Sequence, residues 1–248
     1  MYIEIDGVSK QFMHNKTPIL ALQNVNLNIE KGEFICFLGP SGCGKTTLLN
    51  MLAGYDKPTS GEIRIEGAVV DTPSIKRATV FQGYDLLPWR TAQKNVEIGL
   101  ESLDMSKEER KTIADKYLDM VGLTDFANHF PSAMSGGMRQ RVSIARVLAV
   151  NPEVIYMDEP FSALDLISRL AIQKSILGLW RESKKTIIFV THIIDEAILL
   201  SNRIVIFSPY PGRIVHIIDV PPNAKKGDDM PEYIKIKDEI HRVCEISI

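Results

Sequence analysis

The sequence predicts an α/β fold, in which a mostly parallel sheet with flanking helices carries an N-terminal antiparallel β subdomain and an inserted α-helical subdomain. Three observations support this prediction: polar and apolar residues alternate near the N-terminus, a helical pattern runs from about 84 to 150, and strand and helix patterns alternate again towards Phe207. With 248 residues, of which 45% are hydrophobic, the chain can bury one large core. We therefore expect a single domain over 1–248, with a C-terminal extension over about 221–248.

The N-terminal part reads as antiparallel sheet. Apolar Val25, Leu27 and Ile29 alternate with polar residues, which is typical of a half-buried strand. Ile63 and Ile65 show the same alternation between two glycines, and this predicts a further strand between turns.

An apolar run over 34–38 predicts a buried strand, and a helix is predicted from Thr46 to Ala53. Between them lies a complete P-loop, made of Gly39, Pro40, Ser41, Gly42, Cys43, Gly44, Lys45 and Thr46, with Thr47 next in the helix. Such glycines let backbone N–H groups turn around a phosphate, and the helix N-terminus adds partial positive charge. We expect Lys45 to reach the β- and γ-phosphates and the Thr46 hydroxyl to hold Mg²⁺. This predicts a P-loop NTPase core that binds a nucleoside triphosphate such as ATP.

A second glycine-containing loop and an acidic strand end narrow the chemistry. An amphipathic helix opens with the loop residues Ser135, Gly136 and Gly137, which form a second phosphate-binding helix terminus. An apolar strand over 154–157 ends at Asp158 and Glu159. We expect Asp158 to hold Mg²⁺ through its water shell and Glu159 to orient and deprotonate an attacking water.

In this order the motifs resemble those of the ATP-binding subunit of ABC transporters over about 1–215. The Ser-Gly-Gly loop is similar to the family signature, and residues 154–159 are similar to its Walker B strand. The resemblance implies that Gln82 senses Mg²⁺ and the γ-phosphate, and that Phe12 stacks on adenine. It also implies that His192 contacts the γ-phosphate and holds Glu159 in place. Asp165 would lie at a dimer seam.

The same resemblance implies partners. Two copies would pack head to tail, so that each ATP lies between one P-loop and the other copy's Ser135 loop. Transmembrane permease subunits would bind the segment from Gln82 to Trp89, and a solute-binding protein would act indirectly. We expect a peripheral protein on the cytoplasmic side of the membrane, because no signal peptide and no apolar run long enough for a membrane span is found in the sequence.

Composition agrees with these expectations. The 29 basic and 31 acidic residues give no basic surface for nucleic acid. Three cysteines, Cys36, Cys43 and Cys244, form neither a disulfide framework nor a metal-ligand pair, which fits a reducing compartment.

Local sequences around Leu86–Trp89, 157–165 and 208–214 resemble the importer branch for nitrate, sulfonates and taurine. Met134 and Met138 depart from the commonest family signature, and Ser162 stands where this branch more often has glycine. Importers of thiamine precursors and ABC exporters remain alternatives, as does a soluble ABC ATPase without a transport role. A P-loop kinase would give no reason for the Ser135 loop or for His192.

Overall fold

The computed structural model describes residues 1–15, 17–224 and 230–246. The strands are β1 (Ile3–His14), β2 (Thr17–Ile29), β3 (Phe34–Leu38), β4 (Ser60–Ile65), β5 (Ala68–Val69), β6 (Arg77–Val80), β7 (Val154–Asp158), β8 (Thr186–Thr191), β9 (Arg203–Phe207) and β10 (Ile214–Asp219). The α-helices are α1 (Lys45–Ala53), α2 (Ala92–Glu97), α3 (Lys107–Met120), α4 (Gly136–Ala149), α5 (Leu166–Ser183), α6 (Ile194–Leu200) and α7 (Pro231–Ile246). The chain divides into two compact units, of which the first combines Met1–Ser74 with Lys184–Ile248 and the second is Ile75–Ser183.

The first unit contains the predicted antiparallel sheet, with strand order β2-β1-β4-β5. Its register pairs Ile3 with Ile29 on one side and with Ile65 on the other. The alternation over 25–30 is observed as burial, because Val25, Leu27 and Ile29 are buried while Asn26 and Asn28 are exposed. The apolar face of this sheet therefore contributes to the core of the first unit.

The first unit also holds the parallel strands that lead to the phosphate loop. β3 pairs in parallel with both β8 and β9, and β10 returns antiparallel to β9 as a hairpin. All five residues of β3 are buried, and Phe37 packs edge-on against Phe207 with ring centroids 5.4 Å apart. A strand buried on both faces is the rigid base from which the loop after Leu38 leaves the sheet.

The second unit pairs β6 and β7 in parallel and carries the predicted helical part, in which α2, α3 and α4 pack on one another. Helix α3 begins with a capping box: the Ser106 hydroxyl accepts from Glu109 N at 3.1 Å, and the Glu109 carboxylate accepts from Ser106 N at 2.8 Å. Buried Asn95 bonds Leu87 N and O, so α2 fixes the backbone of the preceding segment.

The predicted fold class is confirmed: a parallel α/β core, an N-terminal antiparallel sheet and a helical insertion are all present. The expectation of one domain over 1–248 stays a prediction. The predicted C-terminal extension over about 221–248 lies in part outside the described residues, and its described part contains α7.

Candidate functional site

The phosphate loop leads from β3 to α1 in the first unit. Gly44 caps α1 in the left-handed conformation, with φ of 91°. A Cβ added to Gly44 would lie 2.6 Å from Leu22 Cδ2 and 3.0 Å from the Ala21 carbonyl oxygen. Only glycine fits this position without strain, because both the backbone angle and the neighbouring strand β2 exclude a side chain.

Lys45 is held inside this loop although it carries a charge. Lys45 is only 5% exposed. Its Nζ donates to the carbonyl oxygens of Gly39 at 2.7 Å and Pro40 at 2.8 Å. The same ammonium lies 3.5 Å from the sulfur of buried Cys43. A buried cation beside a helix N-terminus makes this loop suited to an anionic ligand.

Other predicted contact residues of the first unit are accessible. Pro40, Ser41, Gly42 and Thr46 are exposed, whereas Gly39 is buried and Thr47 is half-buried. Phe12, on β1, is 43% exposed, and the Lys10 ammonium lies 5.0 Å from its ring centroid. Lys10 is itself paired with Asp56 at 2.6 Å, so a salt bridge stands beside the aromatic ring that we expect to receive adenine.

His192 follows β8 and is exposed. The residues on either side of it are tied to α6: the Thr191 hydroxyl donates to Glu196 Oε2 at 2.7 Å and accepts from Ile193 N at 3.1 Å. Thr191 and Glu196 are both buried. The backbone around His192 is therefore held by a buried polar contact while the imidazole faces outwards.

The second unit brings together two of the predicted catalytic residues. Asp158 ends β7 and is 4% exposed, and Glu159 follows it with φ of 45°. Gln82 is exposed, and its Nε2 donates to Glu159 Oε2 at 3.4 Å. A non-glycine residue at positive φ is uncommon, and such strain is concentrated at functional positions.

The Ser-Gly-Gly loop forms the N-terminus of α4. The Ser135 hydroxyl accepts from Met138 N at 3.2 Å as the helix cap. A Cβ at Gly136 would lie 2.8 Å from the Tyr84 hydroxyl oxygen, and a Cβ at Gly137 would lie 3.2 Å from the Ala163 carbonyl oxygen. Both glycines therefore allow neighbouring groups to approach the start of the helix.

Sequence reasoning did not identify the contact between Tyr84 and Arg139. The Arg139 guanidinium lies 4.8 Å from the Tyr84 ring centroid, which joins the segment after Gln82 to the first turn of α4. The two residues are 55 positions apart, and no local pattern predicts that they meet.

Asp165 precedes α5 and accepts the backbone N–H of Ser168 at 3.0 Å. Hydrogen bonds from the Ser168 backbone N–H and side chain lower the pKa of its carboxyl group. The helix that follows begins with large apolar residues that face outwards: Leu166, Ile167 and Leu170 are 68%, 81% and 53% exposed. Contiguous exposed apolar side chains of this size mark interaction surfaces.

The first unit thus carries the buried cation Lys45 at a helix N-terminus, and the second unit carries the acid pair Asp158 and Glu159 beside the Gln82 amide. Comparison with known proteins agrees with this chemistry. The model of the ABC transporter family matches residues 22–162, more than half of the chain. The chain belongs to the ABC transporter family, and the prediction of an ATP-binding, ATP-hydrolysing transport subunit is confirmed.

Two curated relatives match nearly the whole chain. The chain is similar to the taurine import ATP-binding protein of Yersinia pestis, with 45% identity, covering 89% of each chain. It is also similar to the nitrate import ATP-binding protein of Synechococcus elongatus, with 39% identity over 96% of this chain and 89% of the relative.

A solved structure shares the fold. It shows a dimeric ATP-binding cassette in a post-hydrolysis state bound to ADP and phosphate. It is 38% identical, covers 88% of this chain and 99% of its own, and aligns with a TM-score of 0.82. Within the described residues, no helix is long and apolar enough to cross a membrane.

Proposed function

We propose that this chain energises an importer of a small solute, an anion such as nitrate, a sulfonate or taurine. The observation that carries the proposal is the similarity to nitrate and taurine import subunits over about nine-tenths of the chain. In this proposal the phosphate loop binds ATP, and the acid pair takes part in its hydrolysis, which provides the energy for transport. Other subunits select the solute.

In this proposal the phosphate loop binds the triphosphate. Backbone N–H groups from Gly39 to Thr47 surround the phosphates, and the Lys45 ammonium exchanges its bonds with two carbonyl oxygens for bonds with phosphate oxygens. Phe12 contributes a partly exposed ring to the adenine. The exchange is favourable because charge-assisted bonds to phosphate are stronger than bonds to neutral carbonyls.

The residues present also suit Mg²⁺. Asp158 is a buried carboxylate at the end of a strand, and Thr46 offers an exposed hydroxyl. Oxygen atoms of these two kinds are ligands that Mg²⁺ prefers, and Gln82 adds an amide oxygen. When bound, the metal neutralises charge on the phosphates.

Glu159 is proposed as the general base. Its carboxylate accepts a hydrogen bond from Gln82, which orients it, and its backbone has a positive φ of 45°. Glu159 takes a proton from the attacking water, and His192 contacts the γ-phosphate. Gln82 links the position of Glu159 to the segment that follows in sequence.

The active form is proposed to be a head-to-tail dimer. Ser135 is exposed at a helix N-terminus, so with Gly136 and Gly137 it can receive the γ-phosphate bound by a second copy. The exposed apolar residues that follow Asp165 would be buried in the dimer interface. The similar solved structure is itself described as dimeric.

Permease subunits are proposed to bind the segment from Gln82 to Trp89, which places the chain peripherally on the cytoplasmic side of the membrane. Trp89 is 71% exposed, and Asn95 fixes the backbone of Leu87 behind it. A cysteine at Leu86 should crosslink to a cytoplasmic loop of the co-expressed permease, whereas a cysteine at Val69, which is 54% exposed on β5, should not. Absence of the Leu86 crosslink in an assembled complex would contradict the coupling role.

The decisive experiment is reconstitution with a cognate permease and binding protein. The complex is placed in proteoliposomes, and ATP hydrolysis and uptake are measured with nitrate, taurine and a thiamine precursor as separate solutes. We expect nitrate or taurine to stimulate hydrolysis and to accumulate. Stimulation by the thiamine precursor alone, outward transport, or hydrolysis with no dependence on a permease would replace the proposal by the corresponding alternative.

A further inference from the structure

The C-terminal helix α7 packs on the first unit through an apolar stripe. Tyr233, Ile236 and Ile240 recur at helical spacing and are 7%, 5% and 0% exposed. Helix α7 contacts both α6 and β10. On the β10 side, His216 Nε2 lies 2.8 Å from Glu239 Oε1. The helix is thus a packed part of this unit, and it contacts the segment that follows His192.

The polar contact between α7 and α6 is concentrated on one carboxylate. Asp195 Oδ1 accepts the Tyr233 hydroxyl at 2.5 Å and the Lys237 ammonium at 2.6 Å. The Lys237 ammonium also lies 5.6 Å from the Tyr233 ring centroid. Two donors one helical turn apart converge on Asp195, so a rotation of α6 against α7 would break both bonds.

Asp195 lies in the same helical turn that fixes the chain around His192. The carboxylate of its neighbour Glu196 accepts a hydrogen bond from the Thr191 hydroxyl, and the same hydroxyl oxygen accepts a hydrogen bond from the backbone N–H of Ile193. His192 stands between these two held residues. If the first turn of α6 moves, we therefore expect the backbone at His192 to move with it, because these two hydrogen bonds join Thr191 to Glu196 and to Ile193.

His192 also lines a cavity beside the phosphate loop. The cavity has a volume of about 410 Å³, and Gly39 and Pro40 of the phosphate loop line it together with His192 and with Cys244 of α7. The remaining lining residues are apolar: Leu38, Ile194, Ile206, Phe207 and Pro209. His192, the phosphate loop and α7 therefore border one cavity within the first unit.

We propose that Asp195 is a positioning residue for hydrolysis: by joining α6 to Tyr233 and Lys237, it lets the C-terminal helix set where His192 stands beside the phosphate loop. The inference rests on the proposed role of His192. It gives α7 a part in turnover, although none of its residues is assigned to the ATP site. Asp195 itself contacts no reacting atom.

The test compares steady-state ATP hydrolysis by the full chain carrying Asp195→Asn, Lys237→Met, or the exchanged pair Asp195→Lys with Lys237→Asp. We expect each single variant to lower kcat about 3–10-fold, less than the roughly 10²-fold that a 1 Å misplacement of a catalytic group can cause. KM for ATP should stay within about twofold, because the phosphate loop is unchanged, and the exchanged pair should recover most of kcat. Glu239→Gln is the matched control, since it changes a carboxylate of the same helix that contacts His216 of β10, and we expect little change.

A spectroscopic readout separates positioning from general loosening. The chain has five histidines, so the imidazole NMR signals can be assigned by substituting each in turn. The His192 signal should shift in Asp195→Asn, return in the exchanged pair, and stay in place in Glu239→Gln. His192→Ala serves as the reference for loss of the histidine itself.

The outcomes distinguish the proposed role of His192 from the proposed role of Asp195. If His192→Ala retains full turnover, the role of His192 in the proposed function is wrong, and the inference falls with it. If His192→Ala is inactive while Asp195→Asn keeps kcat within twofold, only the inference is overturned. It is also overturned if kcat falls in Asp195→Asn with no shift of the His192 signal and no recovery in the exchanged pair.

Discussion

The phosphate loop and the acid pair are built in different ways. In the first, Lys45 is 5% exposed and donates to two backbone carbonyls, and Gly44 is enclosed by β2. In the second, Gln82 is exposed and meets Glu159 at 3.4 Å, a length near the limit for a hydrogen bond. The comparison teaches that the two regions differ in preorganisation: the phosphate loop is held by its own backbone, whereas the contact between Gln82 and Glu159 is long enough to tighten when a ligand binds.

The largest expected effect tests Glu159, in the region that is less preorganised. Glu159→Gln should lower kcat for ATP hydrolysis by about 10²–10⁴-fold, the typical contribution of a general base. ATP affinity, measured by equilibrium titration, should change little, because the phosphate loop keeps its contacts. The matched control is Glu153→Gln, which removes a surface ion pair with Lys76 just before the same strand. Similar rates in wild type and Glu159→Gln would exclude Glu159 as the base.

The next effect tests the enclosure of the loop. Gly44→Ala forces an alanine to a left-handed angle, at about 1–2 kcal/mol, and adds a clash with Leu22 that typically costs about 1–3 kcal/mol. Gly67→Ala is the control, since φ is 78° and no atom lies within 4 Å of its added Cβ. Urea unfolding should show a larger loss of unfolding free energy for Gly44→Ala. Equal losses would mean that β2 does not restrict the loop.

A smaller effect tests the buried cation. Lys45→Ala should weaken ATP binding by about 10–150-fold, which corresponds to the roughly 1.5–3 kcal/mol of hydrogen bonds to a charged group. Lys31→Ala is the control: it removes an exposed ion pair with Glu66 in the same unit and leaves the loop intact. Titration with labelled ATP measures both. If the Lys45 variant binds as wild type does, the phosphate-site assignment is wrong.

The smallest effect concerns acid. Hydrogen bonds from Lys237, and then from Tyr233, lower the pKa of Asp195 below its ordinary value. A carboxyl group whose folded pKa is depressed stabilises the fold above its unfolded pKa of about 3.9 and loses that contribution as pH falls through the folded pKa. The stability difference between wild type and Asp195→Asn should thus be constant above about pH 5 and shrink below about pH 4. A difference that grows in acid would contradict the ion pair.

Local sequence was sufficient for the main elements, while the assignment of site residues stays a prediction. The glycine spacing before Lys45, the capping box at Ser106 and the alternation over 25–30 each act within a few residues, and the structure contains all three. Hydrogen bonding and burial over one turn or one strand decide such features, so the residues themselves carry the information.

Contacts between distant segments depended on the tertiary structure. The closeness of Leu22 to Gly44, of Tyr84 to Arg139, and of Asp195 to Lys237 joins residues about 20 to 55 positions apart. No periodicity specifies which side chain another segment will meet, because that depends on how strands and helices pack. The sequence alone determined a P-loop with its acid pair and signature loop, while packing decided that Lys45 is buried against its own loop and that the C-terminal helix binds the turn after His192.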